Sequence, residues 1–213
     1  MGGEIYISVL CLSWTDEAWS RPADMEGARA RILEREGYPE DLINLHFYSS
    51  LRWDADIILW FSSRRPESFA EVKAAALGRG AGLIRASYSM MSIYEGSPYL
   101  RDGAKPEDTL TREPKKYFIA YPMSKTPDWY LIGFEERKEI LQEHIRMAVQ
   151  HPENKDIRSY TTYSFGIGDQ EFVVMYETDS LLNWSHVTEK LREARARKWI
   201  VKETPIFLGS LIS

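Results

Sequence analysis

The chain has 213 residues, a hydrophobic content of 44% and a formal net charge of −5 at neutral pH, with a pI near 5.5. That length and apolar fraction support one large domain or two small ones with a real core, while the acidic balance argues against a protein held to nucleic acid by excess Lys and Arg. The lone cysteine, Cys11, sits in an apolar run and has no intrachain partner, which points to a reducing compartment and a cytoplasmic protein; Met1 to Glu4 lack a basic leader, and no apolar run reaches the ~18 residues of a membrane span.

Ile5 to Leu10 is β-branched and aromatic, as a buried strand is. Residues from about Asp24 to Glu36 carry Met25, Ala28, Ile32 and Leu33 at helical spacing, with Gly37 as the stop. Leu42 to Ser50 and Ala55 to Ser62 alternate apolar and polar residues around a hairpin-like break at Asp54. Pro66 then opens a helix through Phe69, Val72 and Ala76, ended by Gly78, Gly80 and Gly82, and Leu83 to Tyr94 is a fourth strand.

The order β-α-β-β-α-β then recurs. Tyr117 to Tyr121 is a strand, Phe134 to Val149 a helix, and Ile157 to Phe165 and Glu171 to Tyr176 are strands about the turn Gly166-Ile167-Gly168-Asp169. Asp179-Ser180 caps a helix from Leu181 to about Arg197, and Trp199 to Leu208 closes as a strand. Corresponding elements are offset by roughly 110 to 118 residues throughout, which duplication explains. The predicted fold class is therefore α+β: two tandem ferredoxin-like halves, residues 1–95 and 117–213, joined by a Gly- and Pro-containing linker over 96–116. Their antiparallel sheets pair face to face or edge to edge, and the space between sheet and helices is the natural ligand cavity.

Cys-x-x-Cys, His-Glu-x-x-His, Gly-x-x-x-x-Gly-Lys and Gly-x-Ser-x-Gly motifs are absent, which lowers the usual metal, nucleotide and hydrolase readings. Gly166-Ile167-Gly168 joins two strands without a helix N-terminus to hold phosphate, so it reads as a hairpin turn. Of four histidines, His144 is placed suggestively. The main apolar stripe of its helix runs through Phe134, Leu141, Ile145 and Ala148, and Ile140, His144, Met147 and His151 form the stripe beside it. Periodicity leaves two readings open: a half-buried histidine satisfied by a carbonyl or carboxylate, or a lone axial ligand for a haem iron. Tyr121-Pro122-Met123-Ser124-Lys125 sets a phenol, a thioether and an ammonium at alternating positions of a strand end, on one face. The basic run Lys190 to Lys198 reads as a solvated helix face, with one cation to spare for a carboxylated ligand.

Tyr121 to Lys125, Asp128-Trp129-Tyr130, Phe134-Glu135-Glu136-Arg137, His144 and the terminal Pro205-Ile206-Phe207-Leu208-Gly209 together resemble the family of chlorite dismutases and coproheme decarboxylases, in an archaeal branch. The resemblance implies two ferredoxin-like halves per subunit, a homopentamer, and haem b or iron-coproporphyrin III as the bound porphyrin. It implies His144 as the iron ligand, and Tyr121 as a residue oxidised to a radical that takes hydrogen from a porphyrin propionate, with hydrogen peroxide as oxidant. Lys125 would pair with a propionate, and Met123 and Met147 would line the pocket. The chemistry of the residues agrees: a phenol carries a one-electron hole and an ammonium holds a carboxylate as a point charge.

The chain departs from the family pattern in three places. The family commonly has His-Gly-x-x-Gly-Arg where this sequence has His144-Ile145-Arg146-Met147-Ala148-Val149, so Ile145 and Ala148 are expected to narrow the cavity. At the distal position, where chlorite dismutases carry arginine and decarboxylases generally glutamine, the count gives Ser159, with Arg158 turned to the other strand face unless a bulge intervenes. The loop before Trp129 and Tyr130 is shorter than in many decarboxylases. Coproheme decarboxylation is the leading reading, a weak haem peroxidase or chlorite dismutase is the second, and a haem-free carrier or scaffold is the third.

Overall fold

The computed structural model describes residues 4–95 and 106–212, so Gly96, Pro98 and Gly103 of the predicted linker lie outside the described residues. The first half runs β1 (Ile5–Trp14), α1 (Asp16–Ser20), α2 (Pro22–Leu33), β2 (Asn44–Ser50), β3 (Ile57–Ser63), α3 (Ser68–Arg79) and β4 (Ile84–Tyr94). After α4 (Pro106–Leu110), the second half runs β5 (Tyr117–Lys125), α5 (Pro127–Leu131), α6 (Phe134–Gln150), β6 (Arg158–Tyr163), β7 (Phe172–Thr178), α7 (Leu181–Leu191), β8 (Ile200–Lys202) and β9 (Phe207–Leu211).

The four strands of the first half lie in the order β4-β1-β3-β2, and those of the second half in the equivalent order β6-β7-β5-β9. The two sheets meet edge to edge at both sides. β2 pairs with β9, Tyr48 opposite Leu211, and β4 with β6, Ile93 opposite Tyr163. With β5 also paired to β7, eight antiparallel strands close into a barrel, and no strand edge of the eight is left open along its whole length. β8 adds to the end of β5, past a register shift at Ser124/Lys125.

Strand alternation then decides where each side chain goes. Ile5, Ile7, Val9 and Cys11 of β1 face inward with Tyr48, Trp60, Phe118, Tyr160, Met175 and Phe207 in one buried cluster. Trp60 stacks on Phe118 at 4.9 Å between centroids and meets Tyr160 edge-on at 5.1 Å. Leu110 of α4 is buried in the same cluster, so the end of the linker packs into the barrel core. The interior is thus occupied by side chains, and any ligand cavity must lie outside, beneath the helices.

The two outer faces differ. On the first half, Leu10, Leu12, Leu59 and Phe61 pack against Ala28 and Ile32 of α2 and Val72 and Ala76 of α3 in a fully buried layer. On the second half, Tyr121, Met123, Thr161, Phe172 and Tyr176 are only half-buried, and α6 buries Ile140 alone, with Trp129 and Ala196. One copy of the duplicated unit buries its sheet-to-helix layer fully; the other leaves these residues half-buried.

Several predicted elements shift. The helix near Asp24 begins at Pro22 and follows the short α1, and the closing strand splits into β8 and β9. α7 stops at Leu191 and a 3-10 turn over Arg195–Trp199 takes up the rest of the basic run. On α6 the expected main stripe is only partly buried: Phe134 is 68% and Leu141 42% exposed while Ile145 and Ala148 are half-buried, and in the line beside it Ile140 is buried against Trp129 and Ala196 with His144 and Met147 half-buried. Apolar content alone does not rank the stripes, because the burial of Ile140 is set by Trp129 of α5 and by Ala196.

At the β2–β9–β5 seam, Gly209 stands opposite Ser50 and Phe118. A Cβ there would lie 2.6 Å from Tyr48 Cβ, and both partners are buried. Gly209→Ala is expected to destabilise the fold by about 1–3 kcal/mol, as overpacking does. The measurement is a urea unfolding midpoint, and an unchanged midpoint would mean the seam is looser than the geometry states.

Candidate functional site

β5 supplies three residues of the site. Phe118 and Ala120 point into the barrel, so Tyr121 and Met123 point outward toward α6 and α7. Pro122 sits within the strand opposite Val173. The Tyr121 ring stacks on Tyr176 of β7, centroids 6.1 Å apart at 28°, and Tyr176 in turn meets Trp184 of α7 at 4.2 Å. The Tyr121 phenol is held well above its ordinary pKa, first by burial and then by Tyr176. It is therefore protonated throughout the physiological range, which a hydrogen-atom donor requires.

Lys125 ends the strand at 8% exposure, its ammonium 3.3 Å from the centroid of the Trp129 ring. Its backbone N–H donates to Glu171 at 2.7 Å, and the Tyr130 hydroxyl donates to the same Glu171 oxygen at 2.6 Å, which ties α5 to the β6–β7 hairpin. Burial lowers the Lys125 pKa to about 8, with Glu171 opposing the shift and Arg137 adding to it. The cation is a partly desolvated point charge.

His144 is half-buried on α6, one turn beyond the buried Ile140. Its Nδ1 is buried and has no hydrogen-bond partner. Burial first, then Lys125 and Arg197, lower its pKa, while Glu143 and Glu203 oppose them, so the ring is neutral near pH 7. A neutral imidazole with an unengaged ring nitrogen is the form that ligates a metal. Met147 lies one turn further along the same line and is half-buried, and Ile145 and Ala148, the residues expected to narrow the cavity, flank that line half-buried as well. Among the described residues no group of three or more His, Cys, Asp or Glu side chains is placed to hold a metal ion.

The distal candidates separate by strand parity. The β6–β7 register is continuous, with Arg158 opposite Glu177 and Ser159 opposite Tyr176. Ser159 therefore shares the outer face with Tyr176 and is exposed. Arg158 points the other way: its guanidinium pairs with the buried Glu177 at 3.2 Å and donates to the Glu113 carbonyl at 2.5 Å. Tyr160 OH and the Lys115 N–H donate to the same carboxylate, at 2.7 and 2.9 Å. No bulge turns Arg158 into the cavity, and its charge is spent on the barrel interior.

Sequence reasoning did not single out Tyr176, Trp184 or Glu203. Tyr176 was legible as the outward-facing residue two places from Val174, and Trp184 as the residue one turn into a Ser180-capped helix. Glu203 accepts from Arg192 at 2.9 Å and Arg197 at 2.5 Å, and it acts electrostatically on both Tyr121 and His144. Nothing in local sequence announces that convergence.

Residues 24–212 match the family model described as Chlorite dismutase. The chain is 29% identical over 174 residues to the coproheme decarboxylase of Mycolicibacterium smegmatis, covering 79% of this chain and 72% of that one. It is 27% identical over 169 residues to the coproheme decarboxylase of Staphylococcus saprophyticus, covering 68% and 64%. Among solved structures, an archaeal chlorite dismutase-like protein superposes with a TM-score of 0.90 at 52% identity over 98% of this chain and 95% of that one. The chlorite dismutase of Candidatus Nitrospira defluvii superposes at 0.79 with 18% identity over 98% and 91%, a likeness of fold.

Removing one partner of a buried ion pair leaves an uncompensated charge. Arg158→Met is therefore expected to cost roughly 3–5 kcal/mol in urea unfolding and to leave the Lys125 titration near pH 8 in place. A moved Lys125 pKa would show that Arg158 reaches the cavity after all.

Proposed function

The chain belongs to the chlorite dismutase family, and from that premise we propose that it is a haem-binding oxidoreductase whose leading activity is the peroxide-dependent oxidative decarboxylation of iron-coproporphyrin III to haem b. The coproheme decarboxylases among its relatives support this reading, as does the haem-binding protein of Thermus thermophilus among structures of the same fold. The observation that carries it is the convergence, between the outer face of β5 and α6, of a protonated phenol, a buried ammonium and a neutral histidine with a ring nitrogen that has no hydrogen-bond partner.

Those residues fit an iron porphyrin. Bound there, it would supply oxidising equivalents, taken from hydrogen peroxide, that no side chain of the chain can generate. His144 would hold the iron through its unprotonated ring nitrogen. Lys125 would hold a propionate by charge, and a partner carboxylate would offset the desolvation that the ammonium now bears. Met123 and Met147 would shape the cavity wall with adaptable thioethers. Tyr121 would give up its phenolic hydrogen and then take a hydrogen atom at the phenol oxygen from the propionate held beside it. Ser159 offers no long cationic arm on this face, and Arg158 is committed to Glu177, so the residues favour decarboxylation over chlorite chemistry. The first half, with both its faces packed, is proposed as scaffold and assembly surface of a cytoplasmic homopentamer. No helix among the described residues is long and apolar enough to cross a membrane.

Titrating the purified protein with iron coproporphyrin III and with haem b is expected to give a saturable Soret shift that His144→Ala abolishes. Peroxide is then expected to remove two carbon dioxide masses from coproporphyrin in the wild type and none in Tyr121→Phe. Absence of saturable binding of either porphyrin would overturn the proposal.

Coproporphyrin affinity is expected to weaken as pH rises past about 8, where Lys125 loses its proton. Lys125→Met is expected to bind more weakly at neutral pH without that slope. The sign for stability is opposite. A lysine with a lowered folded pKa lets the unfolded chain bind more protons between about 8 and its ordinary value of 10.5, so the ligand-free fold gains stability with rising pH across that window.

A further inference from the structure

The cavity wall carries three redox-active rings in series. Tyr121 stacks on Tyr176 at 6.1 Å, and Tyr176 contacts Trp184 at 4.2 Å, closer than any other aromatic pair described. Trp184 lies on α7 next to the exposed Ser185 and His186 and is itself partly exposed. The series therefore runs from the proposed reacting phenol outward to the surface. The aromatics of the barrel core are on the other face of the sheet and do not join it.

We propose that Tyr176 and Trp184 form with Tyr121 a relay that carries stranded oxidising equivalents from the cavity to the surface of α7. This rests on the reading of Tyr121 as the residue oxidised in the cavity. A Tyr121 phenoxyl, short of one electron and one proton, takes both from Tyr176: the electron passes between the stacked rings and the proton between the neighbouring phenol oxygens. Trp184 then gives one electron to the Tyr176 phenoxyl, which takes a proton from water, while the indole N–H releases one to water. The net change is one hydrogen equivalent moved from Trp184 to Tyr121. A small-molecule reductant of the thiol or ascorbate class then refills Trp184 at the surface. A bound iron porphyrin would supply the primary oxidising equivalents, drawn from peroxide.

Charge sets the direction. The alternative neighbour, Trp129, lies beneath the Lys125 ammonium at 3.3 Å, and a cation at that distance opposes a positive hole on the indole. Trp184 has no such cation–ring contact among the described residues. The relay discharges a phenoxyl that finds no propionate, before it oxidises the cavity wall at Met123 or Met147.

The test places a photo-oxidant in the cavity without any porphyrin. A thiol-reactive ruthenium polypyridyl is attached to His144→Cys in the full chain; the native Cys11 is 0% exposed and stays unlabelled. After flash-quench oxidation, transient absorption is expected to show phenoxyl decay matched by indolyl growth. Tyr176→Phe, which keeps the ring, is expected to slow the indolyl growth about tenfold or more, and Trp184→Phe to abolish it and leave a long-lived phenoxyl. Near-ultraviolet circular dichroism confirms that each variant retains its packing. Indolyl growth unchanged in either variant would overturn the relay. In porphyrin-loaded protein mixed with peroxide, freeze-quench paramagnetic resonance is expected to find the radical on tryptophan in the wild type and on tyrosine in Trp184→Phe. Failure of the porphyrin reading appears separately, as a missing Soret shift, and leaves the ruthenium measurement to decide the relay.

Discussion

Closing eight strands into a ring consumes one face of every strand. Once β2 pairs with β9 and β4 with β6, the inward residues of both halves must fill a common interior, and Trp60, Phe118, Tyr160 and Phe207 do so without leaving ligand space. The outward residues are then the only ones free to vary. The candidate site residues are displaced to the sheet-to-helix layer, and which strand residues can reach it is decided by parity along each strand.

Duplication gave the molecule two such layers, and physics treats them as alternatives. The first half buries aliphatic side chains between sheet and helices, which stabilises the whole ring by about 25 cal/mol for each Å² of apolar surface removed from water. The second half forgoes part of that gain. It leaves Tyr121, Met123 and Tyr176 half-buried and carries a lysine whose pKa has fallen to about 8. Each is a local cost that a bound carboxylated, metal-bearing ligand would relieve. The rigidity of the filled half lets the other half bear them.

Much of this was readable in the sequence. The repeat fixed the element order, and the strand-end motif put Tyr121 and Lys125 on the helix side of β5. The helical line through Ile140, His144 and Met147 was read correctly as a stripe, yet was ranked second to the more apolar Phe134–Leu141 line. That ranking followed apolar content, whereas Ile140 is buried by tertiary contact with Trp129 and Ala196. Ring closure was open between two packings because edge pairing depends on backbone hydrogen bonds that no side-chain pattern encodes. Tyr176, Trp184 and Glu203 converge from β7, α7 and the segment after β8, elements whose meeting is a product of topology. The short α1 and α5 carry too few turns for a periodic signal.

Parity at residues 158 and 159 joins the fold to the chemistry. Thr162 and Tyr160 are buried on the barrel side, and the unbroken pairing of β6 with β7 carries that alternation back to Arg158, so the arginine is drawn to Glu177 and the serine is left facing the cavity. Exchanging the two would require a one-residue slip, which would also drive Tyr160 out of the core and strip Glu177 of its hydroxyl donor. The same pairing sets Tyr176 opposite Ser159, and therefore beside Tyr121 and beneath Trp184. A single register thus holds Arg158 on the barrel side against Glu177, supplies the phenol that neighbours Tyr121, and closes the barrel on which both depend.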